Sequence, residues 1–599
     1  MNNIRRLLWT LVVVTFVCLG GVRAAAAPAR VVSTGPRPVD YAKITGLSKP
    51  VYQNIVVDKH TLTMADGVEL YVEVTRPADE GRWPVIAEIS PYHGTIYQRD
   101  GVRILPEQGG LANYFPPRGY AVMMVDVRGT GRSGGCLDLM GPRDQSDAKR
   151  VIEWAAKQSW SNGRVGALGH SYPGGTSVMS LAEHPKGLAT VVVSAGLGTM
   201  YDHQYQAGVP YNAQVIGPYA GYSLLTFDRH LPPGFPSASG ATGDDFGNNT
   251  EYASCGLDHA PALEGAEQLT VLDQLSGRFA PWHAVRDFRP GAATAKVPVF
   301  VVHGINDNAA RVTSIDWFLR RNNPGDKLWL GQWDHGVGCC PNRRGWQWTQ
   351  ALHAWFDKQL QRRDVETGPP FEAFLADGSF NTVTSSYTRT EILAAKKFNK
   401  PSRMLTLYPR ADGGLNAAQS PPGAVSFVGT PFGSSEDEVS PGATFSTDKM
   451  KRDTVLVGMP WMRLAVSQTV PRVYVIGTVY DESPEGDRRR ITQFAINPEL
   501  RDGVRTVKVV LPGVVYHMGP PGFAMAHNLR AGHRIVLRFT TSDPDKIPLF
   551  SIDPNVTIFT GAGNTELRLP VIDDPVLVKD TFTIKPPKGE SVEGAESGP

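Results

Sequence analysis

The spacing of apolar residues changes once along this chain, near residue 366, and that change constrains the fold more than any other feature. Up to residue 365, short apolar runs alternate with segments of helical period. Beyond it, helical periodicity disappears and short alternating runs remain, separated by turn residues. The first pattern suits strands of a mostly parallel sheet with helices on its faces. The second suits an all-β sandwich or jelly roll. At 599 residues the chain is too long for one core. The reading is an α/β core over 48–197 and 291–365, followed by a β domain over 366–585.

Particular segments carry this. Residues 59–76 read as a hairpin around Asp66-Gly67, a strong two-residue turn signal. Trp83–Ile89, Tyr120–Asp126, Arg164–Gly169, Ala189–Ser194, Val297–Val302 and Lys327–Leu330 read as strands. Asp144–Gln158 reads as a helix with Ala148, Val151, Ile152 and Ala155 on one face. The alternation stops near residue 197. Residues 198–290 are aromatic, polar and rich in Pro and Gly, so they read as an insertion over the sheet. In the β part, Arg472–Tyr480, Thr506–Leu511 and His533–Phe539 read as strands, and 586–599 as a polar tail.

Composition excludes some classes. With 41 % hydrophobic and 20 % charged residues, a formal net charge of +2 and no long basic or acidic block, nothing points to nucleic acid as a partner. Residues 1–27 read as a secretory signal: Arg5-Arg6, the apolar run Leu7–Val17, then small residues at Ala24–Ala27. The apolar run is short for a membrane span, and no later window looks like one. Ile4 is not the polar residue usual before a twin-arginine pair, which favours the general export route. The expectation is a secreted or cell-envelope protein. Cys18 leaves with the signal, and Cys136, Cys255, Cys339 and Cys340 remain. Neighbouring cysteines bond each other poorly, so Cys136 or Cys255 is expected to pair with Cys339 or Cys340.

The chemistry-bearing stretch is Gly-His-Ser-Tyr-Pro-Gly-Gly, 169–175, between a strand and a helix. Ser171 there suits a nucleophile elbow, and it equally suits a helix cap. The usual elbow has glycine two residues after the serine; here Pro173 stands there and Gly174 follows. Pro173 is tolerated in the first helical turn, and Tyr172 keeps the N–H that an oxyanion needs. A serine nucleophile also requires a base and an acid, in the chain order serine, acid, histidine, each just after a strand. Asp307 follows the strand 297–302, and His335 follows the strand 327–330. The gaps leave room for the insertion first, and then for one helix and one strand. A metal reading of His335 with Cys339 and Cys340 lacks a second ligand pair at zinc-like spacing. His93, His170 and His303 also lie near strand ends, but His170 on its strand should point away from Ser171. Tyr92, in Ser90-Pro-Tyr-His-Gly94, could offer a hydroxyl to an oxyanion or could simply pack.

Five motifs stand in order: Pro91-Tyr92, Asp126-Val-Arg-Gly-x-Gly-x-Ser133-x-Gly135, Gly169-x-Ser-Tyr-x-Gly174, Gly304-x-x-Asp307 and Gly-x-Trp-x-His335. Together they resemble the X-prolyl dipeptidyl-peptidase / cocaine-esterase (CocE/NonD) family of serine hydrolases, over roughly residues 55–580. Helix 144–158 leading through Gln158-Ser-Trp160 to Gly163-Arg-Val-Gly166 is also similar. His303–Asn308 is closer to the peptidase branch, and Gly532–Phe539 resembles a late jelly-roll strand. Serine before Pro91-Tyr92 departs from the more usual asparagine. The resemblance implies an α/β-hydrolase core, an inserted mainly helical cap and a C-terminal jelly roll. It implies Ser171 as nucleophile, His335 as base, Asp307 as orienting acid, and the Tyr92 hydroxyl and Tyr172 N–H as oxyanion hole. It implies no metal and no organic cofactor.

The expected activity is hydrolysis of an ester or amide of a small acyl group, with X-Pro dipeptide release as the rival. A third reading is a binding protein on a hydrolase fold. Family members that take a free ammonium use carboxylates near the site. The candidates here are Glu88, Asp138, Asp202, Asp228, Asp244, Asp245 and Asp258. The partner expected is a small ester, amide or short peptide, with no membrane span once the signal is gone.

Overall fold

The structure, a computed structural model, describes residues 36–93, 104–105, 108–211, 276–321, 323–335, 345–381, 386–398, 400–430, 441–546 and 553–579. The expected signal, most of the insertion and the polar tail lie outside the described residues, as do Cys255, Cys339 and Cys340. Cys136 is disulfide-bonded.

An eleven-stranded sheet organises the first part of the chain. Its strands are β1 (Ile55–Thr63), β2 (Glu69–Pro77), β3 (Trp83–Ser90), β4 (Ala121–Asp126), β5 (Ser161–His170), β6 (Leu188–Ser194), β7 (Val299–Gly304), β8 (Lys327–Gly331), β9 (Phe371–Asn381), β10 (Ser386–Ala395) and a short last strand, Leu577–Lys579. Their spatial order is β1-β2-β4-β3-β5-β6-β7-β8-β9-β10, then Leu577–Lys579. From β4 across to β9 every neighbouring pair is parallel. The Asp66-Gly67 turn closes the β1–β2 hairpin, pairing Thr63 with Glu69.

Two-sided burial explains the unbroken apolar runs. In β7, Val299 and Val301 face a core they share with Val151 and Ile152 of α1 (Pro142–Lys157) and Val178 and Met179 of α2 (Tyr172–Ala182). Phe300 and Val302 face the opposite core, filled by Trp348, Leu352, Trp355 and Phe356 of α3 (Trp346–Gln359). The β7, β8 and β5 chains therefore enter the site with little freedom to shift.

The sheet continues past residue 366. β9 lies parallel to β8, and β10 and Leu577–Lys579 extend the edge antiparallel. Phe371, Ala373 and Leu375 feed one core and Phe374 the other. An alternating run declares a strand without declaring the sheet it joins, so sequence periodicity places the change of character before these strands.

The remaining C-terminal strands build a nine-stranded and a four-stranded sheet, paired antiparallel throughout. They share one core, with Leu456, Leu464 and Leu567 from the larger sheet and Val475, Phe494 and Leu537 from the smaller. Of the insertion, the described ends hold short helices at Met200–Gln204 and Pro281–Ala284. Among the described residues no helix is long and apolar enough to cross a membrane.

Phe300 lies between Trp329 and Trp355, with ring centroids 5.1 and 5.4 Å away. Phe300→Ala is expected to destabilise the protein by about 3–5 kcal/mol. Urea unfolding followed by tryptophan fluorescence checks it; a loss below about 1 kcal/mol would contradict the packing of α3 on this face.

Candidate active site

Ser171 stands where β5 ends and α2 begins, with φ 64° and ψ −124°. A residue with a Cβ enters this region only when its surroundings hold it there. Ser171 N–H donates to Ser194 O at the end of β6 (3.0 Å), and Gly175 N–H donates to Ser171 O (2.9 Å). A Cβ on Gly174 would stand 2.7 Å from Ser194 O and 2.8 Å from Gly196 Cα, so the turn closes only around glycine. The Ser171 side chain caps nothing in its own helix. It points elsewhere.

His335 Nε2 lies 2.8 Å from Ser171 Oγ, and His335 Nδ1 lies 2.8 Å from Asp307 Oδ2. Asp307 is buried. Its Oδ1 accepts the N–H groups of Ala309 (2.8 Å) and Ala310 (2.7 Å). Its Oδ2 accepts from His335 Nδ1–H, which leaves Nε2 to accept the Ser171 hydroxyl proton. His303 braces the same loop by donating Nε2–H to Ala310 O at 2.7 Å, and burial holds its imidazole below the usual range. The structure thus brings Ser171, Asp307 and His335 into one hydrogen-bonded chain, the arrangement that nucleophilic acyl transfer needs.

Two other histidines meet this chain. His170, which on its strand should point away from Ser171, has its ring 4.8 Å from the His335 ring and its Nδ1 2.9 Å from Ser194 Oγ. His203, from the described start of the insertion, lies beside the Asp307 loop, and desolvation pushes its imidazole down to about 4 against the pull of Asp307. Nothing in the local sequence around His203 signals this.

Tyr172 is the first residue of α2, so its N–H points out of the start of that helix. Its phenol, buried near Asp144, is held well above the usual tyrosine range. Tyr92 follows β3 directly and is buried, its ring 6.4 Å from that of Tyr172 in an edge-on arrangement.

His93, next to Tyr92, belongs to a buried cluster: its Nδ1 is 3.4 Å from Asp126 Oδ1 and its Nε2 3.7 Å from Glu88 Oε2. Burial opposes its charge, but Asp126 and Glu88 outweigh that and raise its pKa to about 9. Glu88 lies on β3 and His93 three residues past its end, so the strand brings both to one end of the sheet. Of the other carboxylates that an ammonium would need, Asp138 pairs with Arg286 (3.2 Å) and Asp202 with Arg289 (2.8 Å). Burial, partly offset by Arg289, leaves Asp202 at about 6. Asp228, Asp244, Asp245 and Asp258 lie outside the described residues, as do Cys339 and Cys340 of the metal reading.

The native state favours protonated His93, so its contribution to stability is full below the ordinary histidine pKa of about 6.5 and is lost as pH climbs through about 9. The stability difference between wild type and His93→Gln is expected to shrink across that window. Urea titrations at several pH values measure it, and a difference that stays flat would remove the charge from His93.

A family model described as X-Pro dipeptidyl-peptidase (S15 family) matches residues 66–337, and one described as X-Pro dipeptidyl-peptidase C-terminal non-catalytic domain matches 366–564. A relative in Bacillus anthracis, named "Putative Xaa-Pro dipeptidyl-peptidase", is 30 % identical over 356 residues, 53 % of this chain and 55 % of its own. The chain spans about half the length of the curated relatives it matches first. The crystal structure of a CocE/NonD family hydrolase from Staphylococcus aureus superposes with a TM-score of 0.69 at 18 % identity, covering 87 % of this chain and 94 % of that one. An α-amino acid ester hydrolase follows at 0.62 and 17 %, covering 92 % and 100 %. These likenesses establish a shared fold. With both family models matched in order, the chain belongs to the X-Pro dipeptidyl-peptidase (S15) family of serine hydrolases, and its structural neighbours include a CocE/NonD family hydrolase.

Proposed function

We propose that this protein hydrolyses ester or amide bonds of small acyl substrates through an acyl-enzyme on Ser171. The observation that carries the reading is the Ser171–His335–Asp307 chain, at 2.8 Å for each link. His335 Nε2 takes the Ser171 proton as Oγ bonds to the substrate carbonyl carbon. The carbonyl oxygen becomes an oxyanion facing the Tyr172 N–H and the Tyr92 hydroxyl. His335 passes the proton to the departing alcohol or amine as the carbon–leaving-group bond breaks. Water, deprotonated by the same nitrogen, then attacks the acyl-serine; the acid is released and Oγ regains its proton. Asp307 holds the imidazole throughout.

X-Pro dipeptide release is the second reading, favoured by both family models and by the relatives' names. Within it the substrate is a short peptide with a free amino end. The architecture we assign is an α/β-hydrolase core, a cap at 198–290 and a jelly roll formed by the C-terminal sheets. We also read the chain as exported. Its first 27 residues and the disulfide at Cys136 support that, since such bonds persist in oxidising compartments.

Side-by-side turnover of a p-nitrophenyl acyl ester and an Ala-Pro p-nitroanilide tests the proposal. Ser171→Ala is expected to abolish both, a loss on the order of 10⁶ in kcat. Asp307→Asn should cost about 10⁴ by stabilising the wrong imidazole tautomer. Tyr92→Phe should cost about 10²–10³ with KM little changed. Anilide cleavage selects the peptidase reading and ester cleavage alone the acyl-ester reading. Equal rates in wild type and Ser171→Ala would overturn the assignment of the nucleophile.

A further inference from the structure

The loop that carries His335 is held by a side chain reaching into the C-terminal β sheets. Gln332, three residues before His335, is buried. Its Nε2 donates to Ala526 O (3.1 Å) and to His527 Nδ1 (2.7 Å). Both acceptors lie on the strand Met525–Leu529. His527 is buried as well, and its Nε2–H donates to Asp481 Oδ2 at 2.8 Å. Asp481 lies on the strand Val475–Glu482, and its other oxygen accepts from His533 Nδ1 at 2.7 Å. His533 is the partly exposed end of the series. Burial of Asp481 opposes its charge, but the two histidines hold its carboxyl below the usual aspartate range.

The residues on either side of Gln332 support the acid. Gly331 O accepts from Ile305 N–H (2.7 Å), and Trp333 O accepts from Asn306 N–H (3.0 Å). Those two donors immediately precede Asp307. The approach is so close that a Cβ on Gly304 would stand 2.3 Å from Trp333 O. The segment 331–335 therefore clamps the start of the Asp307 loop with its main chain and ends in His335. Only one of its side chains, Gln332, reaches the strand Met525–Leu529 by a hydrogen bond among the described residues.

We infer that the domain described as non-catalytic sets the geometry of the acid–base pair, with Gln332, His527 and Asp481 as positioning residues. This rests on the reading of Ser171, His335 and Asp307 given above. His527 must present Nδ1 as an acceptor, and Asp481 enforces that by taking the proton on Nε2. A Gln332 amide fixed by two acceptors leaves the 331–335 segment one position. Without it, Asp307 and His335 move together relative to Ser171, whose own turn is tied to β6.

A fluorophosphonate probe reports the Ser171–His335 alignment without requiring the natural substrate. The full-length mature protein would be compared with Gln332→Ala, and with Gln332→Asn, which keeps an amide but withdraws it by one methylene. Asp502→Ala, at an exposed ion pair with Lys508 elsewhere in the β domain, serves as the control. The labelling rate constant and kcat are expected to fall about 10- to 100-fold in Gln332→Ala, with KM within about twofold. Gln332→Asn should fall between it and wild type. The acidic limb of the kcat/KM pH profile, which reports the base, should shift in both Gln332 variants and stay in place in Asp502→Ala. A wild-type protein that does not label, or labels equally as Ser171→Ala, would overturn the reading of the site itself. Ser171-dependent labelling that proceeds at the wild-type rate, with an unmoved pH profile, in folded Gln332→Ala or Gln332→Asn would overturn the positioning role alone.

Discussion

The site depends on a backbone that its surroundings force into place at Ser171. A positive φ at a residue with a side chain costs on the order of 1–3 kcal/mol, and it persists only where neighbours over-determine it. Here the neighbours are the parallel strands β5 and β6, through the hydrogen bond from Ser171 N–H to Ser194 O. Those strands are fixed in turn because both of their faces are packed, Val191 and Val193 on one side and Val192 on the other. Hydrophobic burial that is uniform along the sheet thus supports strain concentrated at one residue. The glycine at 174 follows from the same geometry, since the turn leaves no volume beside Ser194 O and Gly196.

Asp307 and His335 sit on different terms. β7 and β8 are adjacent and parallel, with Gly304 opposite Gly331 in register. Their C-terminal extensions therefore leave the sheet side by side, and each stabilises the other: main-chain N–H groups of 305 and 306 bond carbonyls of 331 and 333. Asp307 then saturates one oxygen on its own loop and turns the other to His335. That division of lone pairs decides the imidazole tautomer, and the tautomer decides which nitrogen faces Ser171. The chemistry of the site is set two hydrogen bonds away from the reacting atom.

Much of this was legible in the sequence because it is local. Ser171, Asp307 and His335 each follow a short apolar run that reads as a buried strand, and they stand in the chain order serine, acid, histidine. The cross-chain features were not legible. The change of character near residue 366 does not tell that 371–375 completes the parallel sheet instead of opening the β domain. Glu88, His93 and Asp126 are three polar residues at strand ends until β3 and β4 lie side by side. His170 looks misdirected on an ideal strand, and becomes a neighbour of His335 only after the chain turns. Gln332 and His527 are separated by 195 residues; Gln332 fills an unspecified position of the Gly-x-Trp-x-His335 motif, and His527 lies in none.

The β domain makes a second tie to the same region. Arg311, four residues after Asp307, is buried and pairs with Asp545 at 3.2 Å, while its guanidinium lies 4.7 Å from the Tyr211 ring centroid. Lys546 stacks on that same ring at 3.9 Å, and burial pushes its ammonium down to about 7. Such buried charges add little net stability, because desolvation offsets most of the attraction; their geometric demand is what remains. One tie grips the end of the acid loop and the other the start of the base loop, while Ser171 is held within the sheet. On the proposed reading of Ser171, a small shift of the β domain would leave that serine in place and carry His335 and Asp307 away. Over the few tenths of an ångström that separate a hydrogen bond from a mere contact, that difference decides whether the serine is activated.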